Sequence, residues 1–168
     1  MIKIVLHCLP NELDQVTWIV DQLKRSSRFI DSKKFILDFT LNVSSEDTNW
    51  DKSKLTREFC IEKFNLIFER SPFLNQHKIS KEQTGCNTVR RNAIREDDGT
   101  THIIYLDTDL IFPEIILYYI EQAINEIKSK YCIISPQIFQ LWDPSWDVIS
   151  HPDYRNIHTK YLNMNLPT

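Results

Sequence analysis

Short, largely apolar runs alternating with stretches of helical period set the strongest limit on what this chain can fold into. Ile2 to Leu6 is a continuous buried-strand pattern, and Phe35 to Leu41, Ile103 to Leu106 and Tyr131 to Ser135 read as further strands. Between them lie apolar stripes at helical spacing: Leu13, Val16, Val20 and Leu23, then Leu55, Phe59, Phe64, Ile67 and Phe68, then Ile116, Tyr119, Ile120, Ala123, Ile124 and Ile127. Residues 87–95 form a more polar helical stretch, and residues 78–80 a short strand inside a loop. Strands alternating with helices predict an α/β fold, a three-layer α/β/α sandwich around a mostly parallel sheet. Right-handed crossovers then place helices on both faces.

Boundary signals agree with this order. Asn11 followed by Asp14 reads as a capping box opening the first helix, and Lys24, Arg25 and Arg28 suit its C-terminal dipole. Asp51 caps a helix expected from about Lys52 to Arg70, which Ser71-Pro72 stops. Pro113 suits the first turn of the helix after the third strand.

The 168 residues fit one domain with a real core, with a short tail at about residues 139–168. A net charge of −3 gives no electrostatic footprint for a nucleic-acid polymer. No apolar run approaches the roughly 20 residues of a membrane helix, and the N-terminus lacks the features of a signal peptide. Cytoplasmic residence is the expectation. Cys8, Cys60, Cys86 and Cys132 show no zinc or redox spacing and are expected to be reduced. The only two glycines, Gly85 and Gly99, bracket residues 87–95, where positive φ or close ligand approach is their usual employment, although Asp98-Gly99 is equally an ordinary turn.

The chemistry concentrates between Gly85 and Phe112. The apolar run ending at Leu106 delivers two carboxylates, Asp107 and Asp109. At alternate positions of an extended chain they point to the same side. In open α/β sheets ligands bind beyond the carboxyl ends of the strands. Two carboxylates there suit Mg²⁺ or Mn²⁺, and through the ion a diphosphate. The same pair could equally cap the next helix or face water.

Three motifs in order resemble the GT-A glycosyltransferases of the large family 2 type. Pro10-Asn11-Glu12 after the first strand resembles that family's opening loop. Gly85 through Arg91-Asn92-Ala93 resembles its Gly-x-x-x-x-Ala-Arg-Asn segment, and Asp107-Thr108-Asp109 its Asp-x-Asp motif, with Pro113 following. Together they cover roughly residues 1–135. The resemblance implies a GT-A-like domain that transfers a sugar from a nucleoside-diphosphate donor to a hydroxyl of a glycan or other acceptor. It implies Asp109 as a metal ligand, Asp107 at the ribose or a metal-bound water, Arg91 and Asn92 against the donor, and Pro10, Asn11 and Glu12 beside the nucleoside. On the residues alone, Arg91 could equally lie on a solvated helix face.

Two departures stand out. The family's second strand commonly ends in an Asp that meets the base; here Asn42 occupies that place, offering both donor and acceptor. The chain after the metal motif is also short. Its tail carries Trp142, Asp143, Trp146, Asp147, His151 and His158. Asp143 and Asp147 are candidate bases for the acceptor hydroxyl, and His151 or His158 could complete a metal shell. The tryptophans could equally anchor a loop and the histidines face water. Two other functions fit the same pattern: a non-catalytic sugar-nucleotide-binding or scaffold domain, and a nucleotidyltransferase. The second normally carries a Gly-rich phosphate loop, which Cys8-Leu9-Pro10-Asn11 is not.

Overall fold

The computed structural model describes residues 1–44, 55–81, 85–95, 99–127 and 133. The chain divides into two compact units, Met1–Lys128 and Ser129–Thr168. In the second, only Ile133 is described, and it is exposed. The expected strand at residues 131–135, apart from Ile133, and the candidates Trp142, Asp143, Trp146, Asp147, His151 and His158 therefore lie outside the described residues, as does the proposed Asp51 cap.

The first unit is an α/β layered structure. Its strands are β1 (Ile2–Cys8), β2 (Phe35–Asn42), β3 (Leu74–Asn75), β4 (Lys78–Ser80) and β5 (His102–Leu106). Its helices are α1 (Leu13–Ser26), α2 (Arg57–Phe68), α3 (Cys86–Arg95) and α4 (Ile116–Glu126). The sheet order is β3-β2-β1-β5, with β4 also pairing to β2, and every described pairing is parallel. β1 is thus flanked on both sides: Ile2 stands opposite Phe35 on β2 and His102 on β5.

Strand alternation sorts the side chains into two layers. Ile2, Ile4, Leu6 and Cys8 of β1 and Phe35, Leu37, Phe39 and Leu41 of β2 share one cluster with α1, α2 and Leu117 of α4. On the opposite face Val5 packs with Val89 and Ala93 of α3 and with Ile103 of β5. Helices therefore cover both faces, as the alternating sequence implied, and all eight β2 residues are buried. The larger layer includes an aromatic stack: Phe68 meets Phe39 and Phe64 edge-on at 5.6 and 5.1 Å, and His77 lies flat on Phe68 at 4.5 Å. Burying each such Phe contributes about 1.5–3 kcal/mol.

Some local expectations shift. The first helix is not opened by Asn11 and Asp14. Pro10–Glu12 form a 3₁₀ turn, and Glu12 supplies the reciprocal capping contact to Leu9 instead. The Thr56 hydroxyl caps α2, accepting from the Phe59 N–H at 3.2 Å. Phe59 and Tyr119, both expected on apolar stripes, are about half exposed, because Cys60 and Leu117 take the inward positions. Among the described residues no helix is long and apolar enough to cross a membrane.

Candidate functional site

The helix that follows β1 packs on one face of the sheet, and the helix that precedes β5 packs on the other. Strand order therefore reverses between β1 and β5, and their carboxyl ends frame the position where open α/β sheets bind ligands. The C-terminal end of β1 carries the 3₁₀ turn of Pro10–Glu12, and the end of β5 carries Asp107, Thr108 and Asp109.

Glu12 joins these two loops. Its Oε2 accepts from the Leu9 N–H at 2.8 Å, and its Oε1 accepts from the Thr108 hydroxyl at 3.1 Å. Both carboxylate oxygens are thereby engaged, one by the backbone of its own turn and one by a side chain 96 positions along the chain from Glu12. Pro10 is buried beneath this turn, whereas Asn11 is exposed.

Asp107 is paired with Arg90 of α3. The guanidinium Nη2 donates to Oδ1 at 2.5 Å, with the side chains 32% and 63% exposed respectively. The Arg90 guanidinium also sits over the Tyr105 ring, 5.5 Å from its centroid, and the Tyr105 hydroxyl donates to the Arg90 carbonyl at 3.4 Å. Cation–π contact and ion pair together hold one guanidinium at the carboxyl edge.

Thr108 and Asp109 lie in a turn, since β5 ends at Leu106. The pleat argument for a common direction of the two carboxylates therefore stops one residue short of them, and the turn sets their placement instead. Asp109 is exposed and makes no hydrogen bond or ion pair among the described residues. The polar side chains that this loop carries are hard oxygen groups, two carboxylates and a hydroxyl, a chemistry that suits Mg²⁺ or Mn²⁺ better than a thiophilic metal. Among the described residues no three His, Cys, Asp or Glu side chains converge as a ligand group.

Asn42 ends β2 at the same edge but is buried, and its Oδ1 accepts from the Ser44 N–H at 2.9 Å. Its amide oxygen is thus committed to turning its own loop. Arg91 and Asn92 are exposed on α3, outside the Val89–Ala93 face that meets the sheet. Neither is brought to Asp107; the neighbouring Arg90 is.

Arg90, Thr108 and Tyr105 were not singled out from sequence. The helical period held the signal for Arg90: with Val89 and Ala93 facing inward, Arg91 falls on the outer side and Arg90 on the flank beside β5. Cys86, one turn before Arg90, has its thiol raised by burial, with Asp107 and Glu12 adding to the rise and Arg90 opposing it. Burial and the charge of Glu12 also push the Cys8 thiol far up, and its Sγ contacts the Thr40 carbonyl at 3.6 Å. Both shifts disfavour the thiolate form. Comparison of the chain with protein-family models, with curated proteins and with solved structures gives no match in any of the three.

Proposed function

We propose that this chain is a metal-dependent glycosyltransferase that moves a sugar from a nucleoside-diphosphate donor to an acceptor hydroxyl. The observation that supports the reading is the Arg90–Asp107 ion pair at the carboxyl edge between β1 and β5, where the strand order reverses, with Asp109 exposed two residues further along the same loop.

Asp107 and Asp109 would hold Mn²⁺ or Mg²⁺, which would neutralise charge developing on the departing diphosphate. Arg90 presents a planar fork of donors to phosphate oxygens, so we assign the diphosphate-facing role to it in preference to Arg91. Tyr105 limits the guanidinium to the edge of the site. Glu12 acts as a positioning residue: it ties Thr108, between the two aspartates, to the first loop, leaving Pro10 and Asn11 beside the nucleoside. Asn42 remains the candidate on β2 for the base. Asp143, Asp147 and His151 remain the candidates for acceptor activation and a further metal ligand.

Calorimetry with UDP- and GDP-sugars, with and without Mn²⁺, tests the reading. Metal-dependent binding accompanied by slow donor hydrolysis is expected, and Asp109→Ala is expected to abolish the metal-dependent part. Unchanged affinity in that variant overturns the assignment. Metal-dependent binding with no turnover over an acceptor panel would instead identify a sugar-nucleotide-binding module.

A further inference from the structure

We propose that Arg90 is an exchangeable counter-ion: it neutralises Asp107 while no donor is bound, and passes to the diphosphate when a divalent cation takes its place on that carboxylate. The inference rests on the metal-dependent reading of the site and gives that site an order of assembly.

Three features of the geometry carry it. First, the Arg90–Asp107 pair is solvent-accessible on both sides, at 32% and 63% side-chain exposure. Such pairs are weak and are readily exchanged for a better partner. Second, Arg90 has an anchor independent of Asp107. The Tyr105 ring beneath the guanidinium and the Tyr105 hydroxyl on the Arg90 carbonyl keep the side chain at the edge when the carboxylate is taken away. Third, Asp109 has no partner among the described residues. A cation can therefore land on Asp109 without displacing anything, but reaches Asp107 only in competition with a guanidinium.

Like charges decide the outcome. A divalent cation and a guanidinium on one carboxylate repel each other, so a cation arriving alone is opposed by Arg90. A diphosphate reverses the sign, because its oxygens accept from the fork of Arg90 while also meeting the cation. Cation and diphosphate thus each raise the affinity for the other, as linkage requires. Without the anion the pair stays closed and the cation binds weakly. The diphosphate therefore gates the cation.

Mn²⁺ and inorganic pyrophosphate are sufficient probes. Mn²⁺ binding, followed by calorimetry or by the electron paramagnetic resonance of the free ion, is measured in the wild type, Arg90→Gln, Arg90→Lys and Asp107→Asn, with and without pyrophosphate. Arg90→Gln is expected to bind Mn²⁺ alone roughly two- to fivefold more tightly than the wild type, the strength of an exposed pair. The same variant is expected to lose most of the enhancement by pyrophosphate. Arg90→Lys keeps the charge, so Mn²⁺ alone binds as in the wild type while pyrophosphate binds more weakly. If Arg90→Gln binds Mn²⁺ no more tightly than the wild type, while Asp107→Asn binds it less well, the exchange is wrong and the metal site stands. If Asp107→Asn and Asp109→Ala both leave Mn²⁺ binding untouched, the reading of the site fails and the exchange fails with it.

Discussion

Thr108 donates its hydroxyl hydrogen to Glu12 Oε1 at 3.1 Å, so the loop after β1 and the loop after β5 share one carboxylate. The other oxygen of Glu12 accepts from the Leu9 N–H at 2.8 Å. Removing this side chain leaves a helix-entry N–H and a hydroxyl without their acceptor. Glu12→Ala is expected to destabilise the protein by about 1–2 kcal/mol, measured by urea unfolding. Glu12→Gln keeps one acceptor oxygen and is expected to recover part of that loss. If Glu12→Ala unfolds at the wild-type midpoint, the carboxylate does not tie the two loops.

The two glycines separate a backbone requirement from a space requirement. Gly99 takes φ +75°, whereas Gly85 has no positive φ, and a Cβ at either position meets nothing within 4 Å. Gly99→Ala is expected to cost about 1–2 kcal/mol from the left-handed conformation alone. Gly85→Ala is expected to be neutral or to stabilise by about 0.4–1 kcal/mol through the unfolded chain. Thermal unfolding of the two variants should therefore move in different directions. Should Gly85→Ala leave stability intact but weaken binding of a nucleotide probe, the glycine is present for ligand approach and not for the turn.

The strands were legible because residues such as Ile4, Leu6, Leu37 and Phe39 are apolar wherever the chain places them, and a parallel sheet covered on both faces asks for nothing more. The site was legible at one remove. Sequence placed Asp107 and Asp109 after a strand, but did not contain the Arg90–Asp107 pair, because the inward face of α3 is fixed by Val89 and Ala93 meeting Val5, 84 and 88 positions away. Likewise Glu12 closes the turn ahead of the first helix where an Asn11–Asp14 box was expected, since a 3₁₀ turn over Pro10–Glu12 changes which side chain reaches Leu9. Long-range partners decide such one-residue choices, and local pattern does not contain them.

Lys3 and Asp38 illustrate the same point in the core. Lys3 is fully buried, its Nζ donates to the Ala93 carbonyl at 3.2 Å, and it stands 4.0 Å from Asp38 Oδ2. Lys78 approaches the other Asp38 oxygen at 3.4 Å. Breaking a buried pair by removing one partner leaves a charge uncompensated, so Asp38→Asn is expected to destabilise by about 3–5 kcal/mol. Lys3→Met is expected to cost less, because Lys78 still faces Asp38. A double-mutant cycle over Lys3 and Asp38, read by urea unfolding, should give a clear coupling energy. Strict additivity would show that the two charges do not act on each other.

His77 is expected to make the fold sensitive to mild acid. Its ring lies flat on Phe68 at 4.5 Å and edge-on to Phe64 at 5.8 Å, and its Nδ1 is buried without a hydrogen-bond partner among the described residues. Burial therefore lowers its pKa below the ordinary 6.5. The sign follows from proton counting. Between the depressed folded value and 6.5 the unfolded chain binds the extra proton and the folded chain does not, so stability rises with pH there. The contribution is intact above about pH 6.5 and is lost as pH falls through the folded pKa. Urea midpoints measured from pH 7.5 downward are expected to drop below about pH 6.5, beyond the change shown by a His77→Phe variant. That variant keeps the aromatic stack and cannot take up a proton. Parallel pH profiles for the two proteins would mean that the imidazole titrates alike in the folded and unfolded chains, and the acid sensitivity would then belong to other groups.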